Sequence, residues 1–308
     1  MRKVHLVSIS EPVVLDLALA LKEKGYDVSA SGTNVSDYDI QRLREVGIAC
    51  PGEGWFPDRL TKDIQFVVLG STVRQDNPEF EKAKVMGLLT ISIPEFIFQR
   101  TKGKTRLVVS GSKGKKSIIS MIIYAFKRQH MSFDYALSSN TPLLPNRVGL
   151  SYAARIAIIE GDEHVTSALE ARFQLEFYRP HIAVISNIDW IQSEEHATLE
   201  GYISTYRNFT ASIEREGKLI YYGNDRIVSE LAAQVREDIT AIPYDTHEVK
   251  EENGQTVLTT RYGNFPVKIQ DEYFLTNLNA ARLACRHLGM KDADFYKAIS
   301  EYSLTMNI

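Results

Sequence analysis

The sequence predicts an α/β fold with mostly parallel sheets, arranged in two successive domains. Three observations carry this reading. Apolar strand runs alternate with amphipathic helix patterns almost throughout the 308 residues. A chain of that length is long for one domain and comfortable for two. A glycine- and lysine-rich turn, Gly111-Ser112-Lys113-Gly114-Lys115-Lys116-Ser117, follows the apolar run Leu107-Val108-Val109 and leads into a helix pattern. That is the strand–turn–helix order of a phosphate-binding loop.

The first domain, residues 1–100, opens with strand 3–9, helix 12–24 and strand 26–31. Leu15, Leu17, Leu19 and Leu21, with alanines between, supply the buried side of the helix, and Gly25 ends it. A helix at about 36–46 leads to Gly47, and strand 64–69 follows. Asn77-Pro78-Glu79 opens the next helix, with Asn77 as N-cap and Pro78 in the first turn. Strand 88–92 and a short helix from Pro94 complete a Rossmann-like unit. Residues Arg100-Thr101-Lys102-Gly103-Lys104-Thr105 read as a solvated basic linker. No wider basic surface accompanies them to make a nucleic-acid patch.

The second domain, residues 106–308, is a P-loop-type unit with a mostly parallel sheet. Its elements are strand 106–110, helix 117–129, strands 154–160 and 181–186, helix 198–212, strand 218–222, helix 226–236 and strand 239–242. A hairpin over 255–269 turns at Tyr262-Gly263-Asn264, and helices 275–288 and 292–303 close the chain.

Composition excludes several classes. With 44% apolar and 24% charged residues and a net charge of −3, the chain has no general attraction to nucleic acid or an anionic membrane. Two cysteines, Cys50 and Cys285, make no disulfide framework and read as free thiols in a reducing compartment. Glu11 and Asp16 interrupt the N-terminal apolar run too early for a signal peptide, and no apolar stretch is long enough for a membrane span. The expected location is the cytoplasm.

Open α/β sheets bind ligands beyond the carboxyl ends of their strands. Three polar clusters sit at such ends: 111–117, 160–163 (Glu160-Gly161-Asp162-Glu163) and 187–192. The glycines of the first let backbone N–H groups face phosphate oxygens, with Lys115 as the loop cation. Glu160, ending an apolar strand, is placed to hold Mg²⁺ against those phosphates; the bland alternative makes these carboxylates loop groups or helix caps. A nucleotide-hydrolysing loop follows its lysine with Ser or Thr to hold the metal, and here that position is Lys116. His196 reads as a surface histidine at a helix start; His5, His130, His164, His181, His247 and His287 show no metal-ligand spacing.

These residues resemble the Mur ligase family, and within it the murein peptide ligase branch. The family loop Gly-Ser/Thr-His-Gly-Lys-Thr-Thr is matched by Gly111, Ser112, Gly114, Lys115 and, loosely, Ser117, with Lys113 at the histidine. The branch pattern is matched without gaps by Glu160 to Glu163, Thr166, Ser167, Arg172, Tyr178, Arg179 and Pro180. Gly54-Trp55-Phe56-Pro57 and Asp76-Asn77-Pro78-Glu79 resemble first-domain segments of the same branch. The resemblance covers nearly all of residues 1–303. It implies an ATP-dependent ligase that joins a recycled cell-wall peptide to UDP-N-acetylmuramic acid, with the first domain of UDP-binding ancestry. Gly111 to Ser117 and Asn277 would then face the nucleotide, Lys115 and Glu160 would be catalytic, and Glu160 would hold Mg²⁺.

The departures fall where the family touches its ligands. The glycine-rich turn that receives UDP is here Ser8-Ile9-Ser10-Glu11-Pro12-Val13-Val14, with a proline, a carboxylate and no glycine. The metal-holding hydroxyl is Lys116. The family's Trp-Asp-His is Trp190-Ile191-Gln192, and its Gly-x-His-Asn-x-x-Asn is Asp271 to Asn277 with only the last Asn kept. A third family domain follows this region, and this sequence stops at Ile308. The losses point to a pseudoenzyme: a nucleotide-binding, regulatory or scaffold protein of cell-wall peptide metabolism that takes ATP and has lost its hold on Mg²⁺. An uncovered central face would invite an active ligase, another cell-wall protein or a second copy. The alternative is a working ligase in which Lys115 and Lys116 bind phosphate and Glu160 holds the metal.

Overall fold

The computed structural model describes residues 2–268 and 271–302. The first sheet holds β1 (Lys3–Val7), β2 (Asp27–Ser31), β3 (Ile64–Leu69) and β4 (Thr90–Ser92), all parallel, in the order β2-β1-β3-β4. Its helices are α1 (Pro12–Glu23), α2 (Asp37–Glu45), α3 (Pro78–Met86) and α4 (Ile93–Thr101). Asn77 caps α3 by accepting from the backbone N–H groups of Glu79 and Phe80, as its position beside Pro78 predicts.

The second sheet has seven strands. They are β5 (Thr105–Ser110), β6 (Asp134–Ala136), β7 (Val148–Gly149), β8 (Ile156–Glu160), β11 (Ile182–Ile185), β12 (Lys218–Tyr222) and β13 (Thr240–Tyr244). The order is β13-β12-β11-β5-β8-β6-β7, parallel except for β7, which runs antiparallel to β6. Two small antiparallel sheets are added, β9 (Val165–Ser167) with β10 (Glu170–Phe173), and β14 (Val249–Glu252), β15 (Gln255–Thr260) and β16 (Gly263–Pro266). The remaining helices are α5 (Lys115–Arg128), α6 (Leu199–Ala211), α7 (Arg226–Ala232), α8 (Glu272–His287) and α9 (Asp292–Ser300). The α/β class and the parallel sheets are as the sequence predicts.

Several expectations need correction. Helix α1 does not have one leucine side: Leu17, Leu19 and Leu21 are buried together with Val14 and Asp16. The helix packs on β1 and β2 and also on β7 of the second sheet. Buried Asp16 accepts from the backbone N–H (2.8 Å) and guanidinium (2.9 Å) of Arg147 there.

The basic segment 100–105 is not a solvated linker. Helix α4 runs to Thr101 and β5 starts at Thr105. Arg100 donates to the Tyr26 hydroxyl at 2.8 Å, and Lys104 pairs with fully buried Asp134 at 2.6 Å. Helix α7 stops at Ala232 rather than 236; Arg236 turns back to donate to the carbonyls of Ala211 and Ile213. Helix α8 begins three residues early, because Asp271 caps it by accepting from Phe274 N–H at 2.8 Å. The ends of the expected hairpin (269) and last helix (303) lie outside the described residues. Strands β6, β7, β9, β10 and β14 were not expected; they are two to four residues long and carry too few apolar positions to show a period.

Candidate functional site

Strands β8, β5 and β11 are neighbours, so the sheet brings the three polar clusters to one edge. Gly111 and Gly114 turn the loop through left-handed backbone, φ +128° and +87°. At Gly111 a Cβ would collide with the Ser186 hydroxyl, and at Gly114 it would lie 2.7 Å from Asn277 Oδ1. Gly114 starts α5 at Lys115, two residues before the expected boundary, so the helix N-terminus points into the loop. The loop is braced by Asn187, whose carbonyl accepts from Ser112 N–H (3.1 Å) and whose side chain accepts from Lys113 N–H (2.9 Å). Ser112 Oγ meets the Tyr202 hydroxyl at 2.9 Å and accepts from Asp189 N–H at 2.8 Å.

The sequence-derived residues Gly111 to Ser117, Glu160 and Asn277 therefore converge. Asn277 is 2% exposed, and its Nδ2 has no hydrogen-bond partner among the described residues. It lines a cavity of about 410 Å³ together with Lys113, Asn187, Tyr222 and Tyr273. An orphaned buried donor beside a phosphate loop, with two aromatic rings, has the chemistry to receive a nucleotide. Tyr202 and Tyr273 were not singled out in the sequence; each is one tyrosine on a helix face, and only the sheet geometry brings it to the loop.

The charges are already committed. Lys115 Nζ lies 2.7 Å from Glu163 and 3.0 Å from Asp162. Burial lowers the pKa of this ammonium, but the two carboxylates outweigh burial and hold it above the ordinary lysine value. Lys113 pairs with Asp189 at 2.6 Å. Glu160 is buried and accepts from Ser138 N–H at 3.0 Å. Burial, reinforced by Asp162, raises its carboxyl above the usual glutamate range. Lys116 is exposed and has no ion-pair partner among the described residues.

These residues do not fit a resident Mg²⁺. The loop ammonium occupies the two carboxylates beside Glu160, a second ammonium stands where the metal-holding hydroxyl is expected, and the raised pKa of Glu160 weakens it as an anionic ligand. Ile191, in place of an acid, is 78% exposed, and Gln192 is exposed as well. Among the described residues, no three His, Cys, Asp or Glu side chains are grouped to hold a metal.

His196 corrects its expectation, since it is buried rather than at the surface. Its ring stacks on Phe173 (4.9 Å, 14°), packs edge-on against Tyr202, and places Nε2 2.7 Å from the Glu163 carbonyl. It holds the acidic loop in place.

At the first sheet, the turn after β1 is closed by its own carboxylate. Glu11 accepts from the backbone N–H and hydroxyl of Ser71 (2.9 and 2.8 Å) and of Thr72 (2.9 and 2.7 Å). The two loops joined this way follow β1 and β3, the strands between which the chain order reverses.

The model of the Mur ligase middle domain matches residues 109–285, more than half of the chain and the whole of this loop edge. The chain belongs to the Mur ligase family. It is 26% identical over its full length to a UDP-N-acetylmuramate–L-alanine ligase of Carboxydothermus hydrogenoformans, of which it covers 66%. It is 28% identical over 75% of its length to the ligase of that name from Paenarthrobacter aurescens, covering 48% of that protein. The chain thus spans two thirds or less of these curated relatives. In fold it is similar to a UDP-N-acetylmuramate:L-alanyl-gamma-D-glutamyl-meso-diaminopimelate ligase from Neisseria meningitides, with TM-score 0.84, 19% identity and 98% coverage of both chains. A murein peptide ligase of Psychrobacter arcticus gives 0.82 at 16% identity, over 98% of this chain and 68% of that one. By name these relatives are ligases of UDP-N-acetylmuramate or murein peptide; no described helix of this member is long and apolar enough to cross a membrane.

Proposed function

We propose that this Mur ligase family member binds a nucleotide without a metal and serves peptidoglycan peptide metabolism as a regulatory or scaffold protein, not as a ligase. One observation carries the reading: Lys115 is held between Asp162 and Glu163 while Lys116 stands where the metal's hydroxyl ligand belongs. Phosphate binding remains chemically supported by the α5 N-terminus, Lys113, Lys115 and Lys116, and base binding by the cavity of Tyr222, Tyr273 and Asn277. Phosphoryl transfer loses its main source of charge stabilisation when the cation is not held. ATP is then a ligand, and the regulated partner is another cell-wall protein, an active ligase first among them.

A second reading, a working ATP-dependent ligase acting on a UDP-N-acetylmuramyl substrate, is favoured by the retained convergence of Lys115, Glu160 and Asn277. Calorimetric titration with ATP and ADP, each with and without Mg²⁺, separates the two. The regulatory reading expects nucleotide affinity to change less than about threefold, under 1 kcal/mol, on adding Mg²⁺, with no ADP formed. Magnesium-linked binding with turnover would establish the ligase instead.

A further inference from the structure

The first α/β unit carries a second cluster of reactive groups, remote from the phosphate loop. In the parallel register of β1 and β2, His5 is the partner of Ser29, so both side chains emerge side by side on one face. Ser29 Oγ lies 2.8 Å from His5 Nδ1, and His5 Nε2 lies 3.3 Å from Glu79 Oε2. Glu79 sits in the first turn of α3, is fully buried, and accepts from the Ser31 hydroxyl and from Phe56 N–H at 2.7 Å. Burial raises the Glu79 pKa, but His5, Ser31 and Phe56 outweigh it and hold the carboxylate charged. The imidazole tautomer with hydrogen on Nε2 directs that hydrogen at Glu79, with the Ser31 hydroxyl also 3.3 Å away, and accepts the Ser29 hydroxyl proton at Nδ1. Nucleophile, base and orienting acid are thus in the order that activates a serine.

This relay opens onto a cavity of about 310 Å³ lined by Lys3, His5, Asp27, Ser29 and Arg59 among others. Arg59 makes no ion pair among the described residues, and Lys3 is shared with Asp63 at 2.5 Å. We infer that Ser29 is an activated nucleophile that accepts an acyl group from small esters bearing an anionic substituent, with His5 as general base and Glu79 as the residue that positions it. Ser29 Oγ attacks the ester carbonyl carbon as its proton passes to His5 Nδ1. The bond to the leaving oxygen breaks, and that oxygen departs with the proton from His5. Water then attacks acyl-Ser29, giving its proton to His5, and His5 returns a proton to Ser29 as the carboxylic acid leaves. No metal, oxidant or reductant is required. This activity is independent of the nucleotide reading.

The test is covalent labelling of the full chain with an alkyl fluorophosphonate, read by peptide mass spectrometry. Label is expected on Ser29 and absent from Ser29→Ala, whose folding is checked by an intact far-UV CD spectrum and a cooperative melt, since the change unpairs only His5 Nδ1. An unlabelled native protein, or label that persists in Ser29→Ala, overturns the inference. Glu79→Gln is expected to slow the bond-forming rate constant about tenfold or more while leaving the probe's reversible affinity within about twofold. Equal loss of both would make Glu79 a folding residue and break the relay. For substrate class, p-nitrophenyl succinate is expected to turn over about fivefold faster than p-nitrophenyl butyrate, with the preference lost in Arg59→Ala; no preference in the native protein would refute the anionic class.

Discussion

Glu160 shows how the surroundings of one side chain in this site shift its ionisation. It ends β8, as a metal-binding carboxylate would, and burial, reinforced by Asp162, raises its pKa above the usual glutamate range. Because its folded-state pKa is raised, the native protein holds a proton that the unfolded chain releases. Stability from this group therefore falls as pH rises from the unfolded glutamate value through the raised one. Glu160→Gln, which still accepts from Ser138 N–H, is expected to stabilise the protein at pH 8 and to be neutral near pH 4. Urea denaturation at the two pH values checks this; equal effects at both would mean that Glu160 ionises normally. The candidate site was legible at this scale where chemistry follows residue type in a fixed order, as at Gly111, Gly114, Lys115 and Asn277. The pairing of Lys115 with Asp162 and Glu163, the burial of His196 and the His5–Ser29 contact were not, because each depends on which strands become neighbours.

Among the elements, helix α8 best shows what sequence pattern conveys and what it omits. The apolar spacing from Leu275 onward is readable, but the start is set by Asp271, a residue first seen only as a departure from a family motif. Its carboxylate caps the helix and so fixes the turn that presents Tyr273 and Asn277 to the phosphate loop. Asp271→Ala is expected to cost about 1 kcal/mol in urea denaturation and to weaken nucleotide binding, whereas Asp271→Ser retains most of both. The missed strands have a similar origin. Val148–Gly149 makes a strand only because β6 and α1 lie beside it.

On the scale of the whole molecule, the two sheets share one apolar cluster, in which Val14, Leu17 and Leu21 of α1 join Ala136 and Val148 of the second sheet. The Asp16–Arg147 pair and a hydrogen bond from Arg42 to Asn146 (3.1 Å) lie across the same junction. Parallel layering foretold the fold class; it held no information about how the two sheets dock, which involves a buried aspartate that ordinary helix patterning treats as an exposed position. A single cooperative transition is expected in scanning calorimetry. Asp16→Ala removes the buried acceptor of the partly exposed Arg147, is expected to cost about 1–2 kcal/mol, and should split that transition in two. One transition surviving in the variant would show that apolar contact alone couples the halves.

The carboxylate of Glu11 has a last consequence. Loops that open and shut around a guest need vacant donors to gain something on closing. Those of Ser71 and Thr72 are satisfied continuously by a group that cannot diffuse away. The two loops of the first sheet are therefore tied together from within the chain, and a guest entering between them would first have to displace the Glu11 carboxylate.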